Sequence, residues 1–520
     1  MSAVLAVIAT LLLLIAAISC SGSDDGDTTP AVSGGTSPSV SAPSLPPHAT
    51  LYGAEAGDQA GTVVTGDFNG DGARDVVMAA STADGPQNVR PDAGEAYVLL
   101  GPLPQSGERD TADGADAIIY GAAAGDTLGR SAVAGDFNGD GIDDLALGAP
   151  SAAGAGGSGQ AGAVFVIFGS PALGGELKQI DLAAQGADAV IRGADTEDYF
   201  AYSLAAGDLD ADGRTDLLAG ALFADGPDNS RDGGGEVYAF LARDLGGEID
   251  LATSLPYALV YGSDADDRLG EAIAAGDVNG DGADDMVLVS TFADGPSEDR
   301  DAVGETNVIY SPRADVIDLR ETPANRLVIG IDEGDQLGHS VAACDVDGDG
   351  REDLWLGAVS ADGPENAQDL AGEAVLVASD AGAPAIINVA EDEVEALVYG
   401  PVEEARLGRG AACADLDANG RGDLIISAPN VPERRGTVYV IFGGEQYPEN
   451  ARESGVTLVG MDAGDIMGHE SFGPPFAVAD FDGDGASDLL ISAAQGDGPD
   501  NARPDAGEAY IIYSAGSLAR

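Results

Sequence analysis

A short acidic loop of nine residues occurs seven times in this sequence, and its residue types suit the binding of a hard cation. One clear copy is Asp136-Phe-Asn-Gly-Asp-Gly-Ile-Asp-Asp144, and the others keep acidic or amide residues at positions 1, 3, 5 and 9. Ca²⁺ prefers carboxylate, amide and carbonyl oxygens in a flexible geometry, whereas Mg²⁺ demands a smaller octahedron and keeps its waters. The loops therefore predict about seven structural Ca²⁺ ions, one in each loop.

The predicted ligands are the side chains at positions 1, 3, 5 and 9 and the backbone carbonyl at position 7. They are Asp67, Asn69, Asp71, Ala73, Asp75, Asp136, Asn138, Asp140, Ile142, Asp144, Asp208, Asp210, Asp212, Arg214, Asp216, Asp277, Asn279, Asp281, Ala283, Asp285, Asp345, Asp347, Asp349, Arg351, Asp353, Asp415, Asp417, Asn419, Arg421, Asp423, Asp480, Asp482, Asp484, Ala486 and Asp488. Glycine at position 6 of every loop predicts a sharp turn with a positive φ. The alternative is a set of Asx turns without metal, but the carboxylates of each loop would then repel one another.

The acidic loops also mark a larger repeat, because the first Asp of each loop lies 65 to 72 residues after the previous one. A fixed period of this kind is the signature of a repeat architecture, and its length suits a four-stranded propeller blade. In the second repeat, residues 131–137, 145–148, 163–168 and 189–193 are short runs bounded by Gly, Asp and Pro. Such runs predict β-strands. The fold class is therefore all-β, with each acidic loop between the first and second strands of a blade.

The two ends of the repeat array predict how the ring closes. Residues 50–53, Thr-Leu-Tyr-Gly, match fourth-strand segments such as 118–121, Ile-Ile-Tyr-Gly, but precede any first strand. The last repeat ends on residues 509–513, which form a third-strand segment. Pairing these two ends would remove two open sheet edges, which are a liability in β proteins. The sequence therefore predicts a seven-bladed β-propeller closed by its N-terminal strand.

The second repeat resembles the FG-GAP repeat of integrin α-subunit propellers and their bacterial relatives. The matching residues are Tyr120-Gly, Gly125-Asp, Leu128-Gly129, the run 135–141, Asp144-Leu-Ala-Leu and Gly148-Ala-Pro150. The resemblance extends over residues 49–520. It implies a cation-bearing propeller that acts in binding or adhesion.

The N-terminal segment predicts export. Residues 3–19 form a short apolar run that looks like a secretory signal, and the small residues before Cys20 resemble a bacterial lipobox. An uncleaved membrane anchor is the alternative, since no Lys or Arg precedes the run. Residues 1–19 are thus predicted to be a signal peptide, and 20–48 a lipidated Cys20 with a Ser/Gly/Pro-rich tether. Residues 49–520 are assigned to the propeller, anchored at the cell envelope or cell surface.

The composition excludes one class of partner and leaves the state of two cysteines open. Asp and Glu number 90 against 23 Lys and Arg, which gives a formal charge of −67. Nucleic acid is therefore excluded as a partner, since its phosphates would be repelled. Cys344 and Cys413 precede the acidic loops of neighbouring repeats. A disulfide between them is one interpretation for an exported protein, but two buried free thiols are favoured.

A second pattern, Asp-Gly-Pro followed by Asn or Glu and then by Glu, recurs in five repeats. Its residues are Asp84, Asn88, Glu95; Asp225, Asn229, Glu236; Asp294, Glu298, Glu305; Asp362, Asn366, Glu373; and Asp497, Asn501, Glu508. Turn chemistry is the favoured explanation, and a second metal site or a partner-binding rim are the alternatives. Because strands alternate in direction, these loops should lie on the face opposite the acidic loops.

The chain shows no recognisable nucleophile elbow, phosphate-binding loop or His-Cys metal cluster. His339 and His469 occupy the repeat position of Arg130, which favours a packing or surface role over catalysis. The predicted function is that of a monomeric, non-enzymatic module that binds a protein or glycan on the face opposite the acidic loops. A polysaccharide-active hydrolase or lyase is the alternative, since a catalytic carboxylate pair is easily hidden among so many acids.

Overall fold

The computed structural model describes residue 45 and residues 48–515, except 158, 298–299, 311–314, 380–383, 393, 445 and 470–472. The predicted signal peptide, Cys20 and most of the predicted tether lie outside these described residues. The described part of the chain is built almost entirely of short β-strands.

The strands in chain order are β1 (His48–Tyr52), β2 (Thr62–Gly66), β3 (Asp75–Ala80), β4 (Glu95–Leu99), β5 (Gly107–Asp110), β6 (Ala117–Tyr120), β7 (Ser131–Gly135), β8 (Asp144–Ala149), β9 (Ala163–Ile167), β10 (Gln179–Asp181), β11 (Ala189–Arg192), β12 (Phe200–Gly207), β13 (Asp216–Ala221), β14 (Glu236–Phe240), β15 (Gly247–Asp250), β16 (Ala258–Tyr261), β17 (Ile273–Gly276), β18 (Asp285–Ser290), β19 (Glu305–Ile309), β20 (Val316–Asp318), β21 (Arg326–Ile329), β22 (Leu337–Cys344), β23 (Asp353–Ala358), β24 (Glu373–Val377), β25 (Ile386–Asn388), β26 (Ala396–Tyr399), β27 (Ala411–Ala414), β28 (Asp423–Ala428), β29 (Thr437–Ile441), β30 (Val456–Val459), β31 (Phe476–Ala479), β32 (Asp488–Ala493) and β33 (Glu508–Ile512). Two helices of four residues, α1 (Thr111–Gly114) and α2 (Leu182–Gln185), interrupt them. Single 3₁₀ turns cover Pro86–Asn88, Ala155–Gly157, Pro227–Asn229, Ala242–Asp244, Pro364–Asn366, Ala451–Glu453 and Pro499–Asn501. Among the described residues, no helix has the length and apolarity needed to cross a membrane.

The strands form seven sheets, each of which is one blade of a ring. The four principal strands, from the axis outward, are β2, β3, β4 and β6 in blade one; β7, β8, β9 and β11 in blade two; β12, β13, β14 and β16 in blade three; β17, β18, β19 and β21 in blade four; β22, β23, β24 and β26 in blade five; β27, β28, β29 and β30 in blade six; and β31, β32, β33 and β1 in blade seven. The predicted seven-bladed β-propeller is therefore confirmed.

Ring closure takes place in blade seven, where the N-terminal strand completes the sheet begun by the C-terminal strands. Strand β1 runs antiparallel to β33, with His48 opposite Ile512 and Tyr52 opposite Glu508. The predicted pairing of the two chain ends is thus confirmed, and it begins one residue before the predicted propeller boundary.

Five blades carry an additional outer strand that the repeat pattern did not predict. Strand β5, from the connection between the third and fourth strands of blade one, runs parallel to β1 of blade seven, with Asp110 opposite Tyr52. Strands β10, β15, β20 and β25 extend the fourth strands β6, β11, β16 and β21 in the same way. The outer edge of each of these five blades is thereby covered by a segment of the next blade, which protects it from pairing with other chains.

The hydrophobic core lies between the blades. The second and third strands are buried along their whole length, as in β8 and β9, because neighbouring blades cover both faces of each sheet. Phe137 and Phe200 pack between blades two and three, and Trp355, which is 1% exposed, packs between blades five and six. Leu45 is also buried, against blades six and seven. Packing therefore reaches into the segment predicted to be a tether.

The interpretation of Cys344 and Cys413 as free thiols is wrong. The two residues form a disulfide between β22 and β27, with their Cα atoms 6.0 Å apart. These are the first strands of neighbouring blades, which approach each other closely beside the ring axis. Two side chains on facing strands were therefore brought together by ring geometry, although they are 69 residues apart in sequence.

We expect the double variant Cys344→Ser/Cys413→Ser to unfold at a lower denaturant concentration. A cross-link that closes a loop of this length stabilises by about 4 kcal/mol in the chain-entropy model. Urea unfolding monitored by circular dichroism measures the loss, and the single variant Cys20→Ser is the matched control. An unchanged midpoint for the double variant would show that the bond contributes nothing.

Candidate metal-binding loops and the opposite face

Each acidic loop is held by its ninth residue, which is also the first residue of the second strand. Asp75 is fully buried, and its Oδ2 accepts a hydrogen bond from the Phe68 N–H at 2.9 Å. Its Oδ1 accepts from the Gly101 N–H at 2.8 Å, just beyond the end of β4. The same pair of contacts recurs at Asp216, Asp353, Asp423 and Asp488. Position 9 therefore ties the loop to the end of the third strand.

The first residue of each loop organises the turn itself. Asp67 Oδ1 accepts from the Asp71 N–H at 3.0 Å, and Oδ2 accepts from the Gly72 N–H at 2.9 Å. The position-6 glycines, represented by Gly72, have φ between 83° and 92° in all seven loops. A Cβ on Gly72 would meet nothing within 4 Å, so the requirement for glycine is conformational rather than steric. The predicted sharp turn is confirmed.

Four loops bring three of the predicted carboxylates together. Oxygen atoms from positions 1, 3 and 9 all lie within 4.8 Å of one another in the sets Asp208, Asp210 and Asp216; Asp345, Asp347 and Asp353; Asp415, Asp417 and Asp423; and Asp480, Asp482 and Asp488. Clusters of this kind have the ligand chemistry and spacing to hold a metal ion. The other three loops have Asn69, Asn138 or Asn279 at position 3.

Burial makes the position-9 carboxylates costly to ionise without a cation. Desolvation, together with the charges of Asp71 and Asp67, raises the pKa of Asp75 to about 6, although its two backbone hydrogen bonds oppose this shift. Burial similarly raises the pKa of Asp144 to about 7. A bound cation is the strongest local charge in such a site and would favour the ionised carboxylates. The loops therefore carry an excess of negative charge that a bound divalent ion would offset.

Neighbouring acidic loops are joined around the ring through position 8, which the sequence did not single out. Asp143 Oδ2 accepts from the Asp67 N–H at 2.9 Å, and the Asp143 N–H donates to the Asp67 carbonyl at 3.2 Å. Asp284 makes the same two contacts with Asp208 at 2.8 and 2.9 Å. The side chain at position 8 varies, so only the structure reveals this link. It couples the order of one loop to that of the previous blade.

The opposite face is formed by the Asp-Gly-Pro loops and the crossovers between blades. Asp84 Oδ1 accepts from the Asp92 N–H at 3.1 Å, and the matching Asp of the other four loops makes the same contact. The predicted turn role of this Asp is confirmed. Asn88 then donates to Glu55 of the crossover into blade one at 2.6 Å. The predicted division into two faces is also confirmed.

An aromatic cluster that the sequence did not predict lies on this opposite face, between blades three and four. The Arg268 guanidinium is 3.9 Å from the Phe292 ring centroid and 5.4 Å from that of Phe223. Tyr199 meets the Phe223 ring edge to face, with centroids 5.5 Å apart, and Phe223 is 37% exposed. The available signal was Phe-Ala-Asp-Gly-Pro, which occurs only in these two repeats.

The position shared by Arg130 and His339 faces a cavity at the ring axis. This cavity has a volume of about 340 Å³, and Arg130, Tyr202, Glu271, His339 and Arg409 line it from five consecutive blades. Arg130 also lies 4.4 Å over the Tyr202 ring, which is the inter-blade packing that the sequence favoured. The axial exposure was not predicted.

Comparison with known proteins identifies the repeat. The FG-GAP repeat matches residues 60–99, 128–167, 200–240 and 472–512. Integrin alpha pat-2 of Caenorhabditis briggsae is 29% identical over 238 residues, which are 44% of this chain and 18% of that protein. Integrin alpha-PS2 of Drosophila melanogaster is 30% identical over 241 residues, which are 45% of this chain and 15% of that protein. Phosphatidylinositol-glycan-specific phospholipase D of Bos taurus is 30% identical over 222 residues, which are 42% of this chain and 25% of that protein.

The four matched segments cover the inner three strands of blades one, two, three and seven. Together with the ring of seven blades, they show an FG-GAP propeller that resembles those of integrin alpha subunits, as predicted. The matched part is a quarter or less of the length of these three relatives. Because the relatives include a phospholipase as well as integrin subunits, they are compatible with both binding and enzymatic roles.

Proposed function

We propose that this chain is an exported, surface-anchored, Ca²⁺-binding propeller that binds a protein or glycan ligand and acts in adhesion. The observation that carries the proposal is the separation of the two faces. One face is occupied by seven acidic loops, which hydrogen-bond to the blade ends and, at several junctions, to one another. The other presents crossovers and Asp-Gly-Pro loops on a rigid ring, which is where binding residues collect in folds of this kind.

Structural Ca²⁺ in the acidic loops is supported by the oxygen donors that they offer and by the hydrogen bonds that fold each loop around its first Asp. In the third loop, Asp208, Asp210 and Asp216 converge, and the Asp212 side chain accepts the Arg214 N–H at 3.0 Å. Side-chain oxygens at positions 1, 3, 5 and 9 with one carbonyl at position 7 fit the six to eight oxygens that Ca²⁺ takes. Anchoring through Cys20 rests on the lipobox-like sequence alone.

The docking surface is assigned to the aromatic cluster of Tyr199, Phe223, Arg268 and Phe292. Aromatic and arginine side chains are enriched at the centres of protein interfaces, and an exposed aromatic ring also offers a flat apolar surface to a sugar. Phe223 and Met461, which is 45% exposed, are large apolar side chains left open on this face. The cluster therefore supplies contact area that the acidic surface otherwise lacks.

We expect the double variant Phe223→Ala/Arg268→Ala to lose ligand retention at least tenfold while keeping its melting temperature in Ca²⁺. Retention is measured on a glycan array and on immobilised envelope proteins. The matched control is Leu255→Ala, because Leu255 is 79% exposed on the connection between β15 and β16 and lies outside the aromatic cluster. Loss of retention in the control but not in the double variant would contradict the assignment of docking to the aromatic cluster.

An enzymatic role is the second candidate, and the similarity to phosphatidylinositol-glycan-specific phospholipase D supports it. The glycan array separates the two roles, because a binding module retains its ligand unchanged whereas a hydrolase or lyase releases products. Turnover of any retained glycan would replace the adhesion proposal with the enzymatic one.

A further inference from the structure

Four carboxylates meet on the face opposite the acidic loops, at the junction of blades four and five. Asp332 and Asp335 lie in the crossover between β21 and β22, Asp362 lies in the Asp-Gly-Pro loop, and Glu373 begins β24. Glu373 and Asp335 are only 4% and 6% exposed. We call these four residues the Glu373 cluster. Burial, with smaller contributions from the charges of Asp335, Asp332 and Asp362, raises the pKa of Glu373 to about 8.

Glu373 has a buried oxygen that no neighbouring group satisfies. Its Oε2 has no hydrogen-bond partner. Among the described residues, no ion pair joins any of the four carboxylates. A buried carboxylate without a partner is strongly disfavoured, and native proteins neutralise such a charge or bind it to a metal. The Glu373 oxygen is therefore the feature that needs a ligand.

Three of the other four blades supply the partner that Glu373 lacks. The Tyr97 hydroxyl donates to Glu95 at 2.8 Å, and the Tyr510 hydroxyl donates to Glu508 at 2.5 Å. In β24 the matching residue is Val375, which has no donor. Blade five also has Gln368 where four other Asp-Gly-Pro loops have an arginine. Glu373 therefore has fewer hydrogen-bond donors and positive charges nearby than the equivalent glutamates of the other blades.

The same carboxylates recur together in five blade junctions. The sets are Glu55, Asp58, Asp84 and Glu95; Asp195, Asp198, Asp225 and Glu236; Asp264, Asp267, Asp294 and Glu305; Asp332, Asp335, Asp362 and Glu373; and Asp462, Asp465, Asp497 and Glu508. The other two junctions have Ala123, Asp126, Ala153 and Ala163, or Val402, Ala405, Pro432 and Thr437, at these positions. At these four positions, one carboxylate remains in the first of these junctions and none in the second.

The acids at these four positions are present together in five junctions and reduced together in two. They lie in two separate chain segments, the crossover and the Asp-Gly-Pro loop with the strand that follows it. Turn formation explains two members, because Asp362 Oδ1 accepts the Leu370 N–H at 2.8 Å and Asp335 Oδ2 accepts the Asp332 N–H at 3.1 Å. It does not explain Glu373, whose Oε2 has no hydrogen-bond partner. Asp465, which occupies the position of Asp335 in another junction, is 3% exposed and also has an unpartnered Oδ2. A shared ligand accounts for all four positions at once.

We propose that the Glu373 cluster binds a divalent cation, and that the four equivalent clusters form further cation sites on the same face. The all-oxygen donor set favours Ca²⁺. No three carboxylate oxygens of the Glu373 cluster lie within 4.8 Å of one another, unlike those of four acidic loops. The partly exposed Asp332 and Asp362 side chains therefore turn inward when the ion binds. The face assigned to ligand docking thus carries a second, independent set of metal sites.

The test compares Glu373→Gln with Glu365→Gln in the full-length chain. Glu365 is an exposed acid in the same loop, so its replacement removes one charge without touching the cluster. Bound Ca²⁺ per chain is measured by equilibrium dialysis and elemental analysis. We expect Glu373→Gln to bind one ion fewer than the wild type and Glu365→Gln to bind the same number. This difference of one is expected whatever the occupancy of the seven acidic loops.

A thermal measurement keeps the proposal testable if the Gln variant changes the fold. In excess chelator, Glu373→Gln should melt above the wild type, because a neutral amide removes the cost of burying or protonating the carboxylate. In Ca²⁺ its melting temperature should rise by less than that of the wild type, and Asp362→Asn should behave alike. Equal Ca²⁺ stoichiometry for Glu373→Gln and the wild type overturns the proposal, since the cluster would then be a group of buried acids and not a metal site.

Discussion

Removal of divalent cations is expected to lower the melting temperature of this chain more than any single substitution. Each site that binds only the folded state contributes about 2.7 kcal/mol when the free ion is at 100 times its Kd. Seven such loops act on one ring, and neighbouring loops are linked through contacts such as that of Asp143 with Asp67. Differential scanning calorimetry in excess chelator measures the loss, and Ca²⁺ should restore the melt better than Mg²⁺.

The matched variants for this prediction are Asp488→Asn and Asp500→Asn. Asp488 is fully buried at position 9 of the seventh loop, whereas Asp500 is an exposed residue of the opposite face. Only Asp488→Asn should reduce the gain in melting temperature produced by Ca²⁺. An unchanged melt in excess chelator, with metal shown to be absent by elemental analysis, would contradict structural Ca²⁺ in the acidic loops.

The acidic loops were predictable from sequence because their structure is local. Gly72 and its six equivalents need a positive φ that other residues resist, and Asp67 hydrogen-bonds within five residues of itself. Ring closure was predictable for another reason, namely that the repeat begins on a fourth strand and ends on a third. Both inferences depend on order along the chain, which the sequence contains in full.

The features missed depend on contacts between distant segments. Strand β10 has three residues, too few for an alternating pattern, and its partner β6 lies about 60 residues earlier. The Cys344–Cys413 disulfide required the distance between two first strands at the ring axis. The aromatic cluster required the crossover residue Arg268 to reach across a blade junction. The period alone does not specify such distances.

Prediction of the Glu373 cluster failed for a related reason. The Asp-Gly-Pro pattern was visible, but the crossover acids Asp332 and Asp335 were not grouped with it because two strands and an acidic loop separate them from it. Once the structure places the two segments side by side, the seven repeats can be compared position by position. The correlated loss of acids in blades two and six then becomes informative about a ligand.

Deletion of residues 48–52 is expected to open the ring. This change removes β1, exposes the full edge of β33 and deprives β5 of its partner. Leu51 is fully buried between blades seven and one, and Leu51→Ala alone should cost about 2 to 5 kcal/mol. The full deletion should exceed that loss and promote aggregation through the open edge.

Deletion of 21–44 is the control, because it keeps the buried Leu45 and removes only the segment whose composition predicts a tether. Thermal melts and light scattering compare the two truncations, and equal stability of both would contradict closure of the ring by β1.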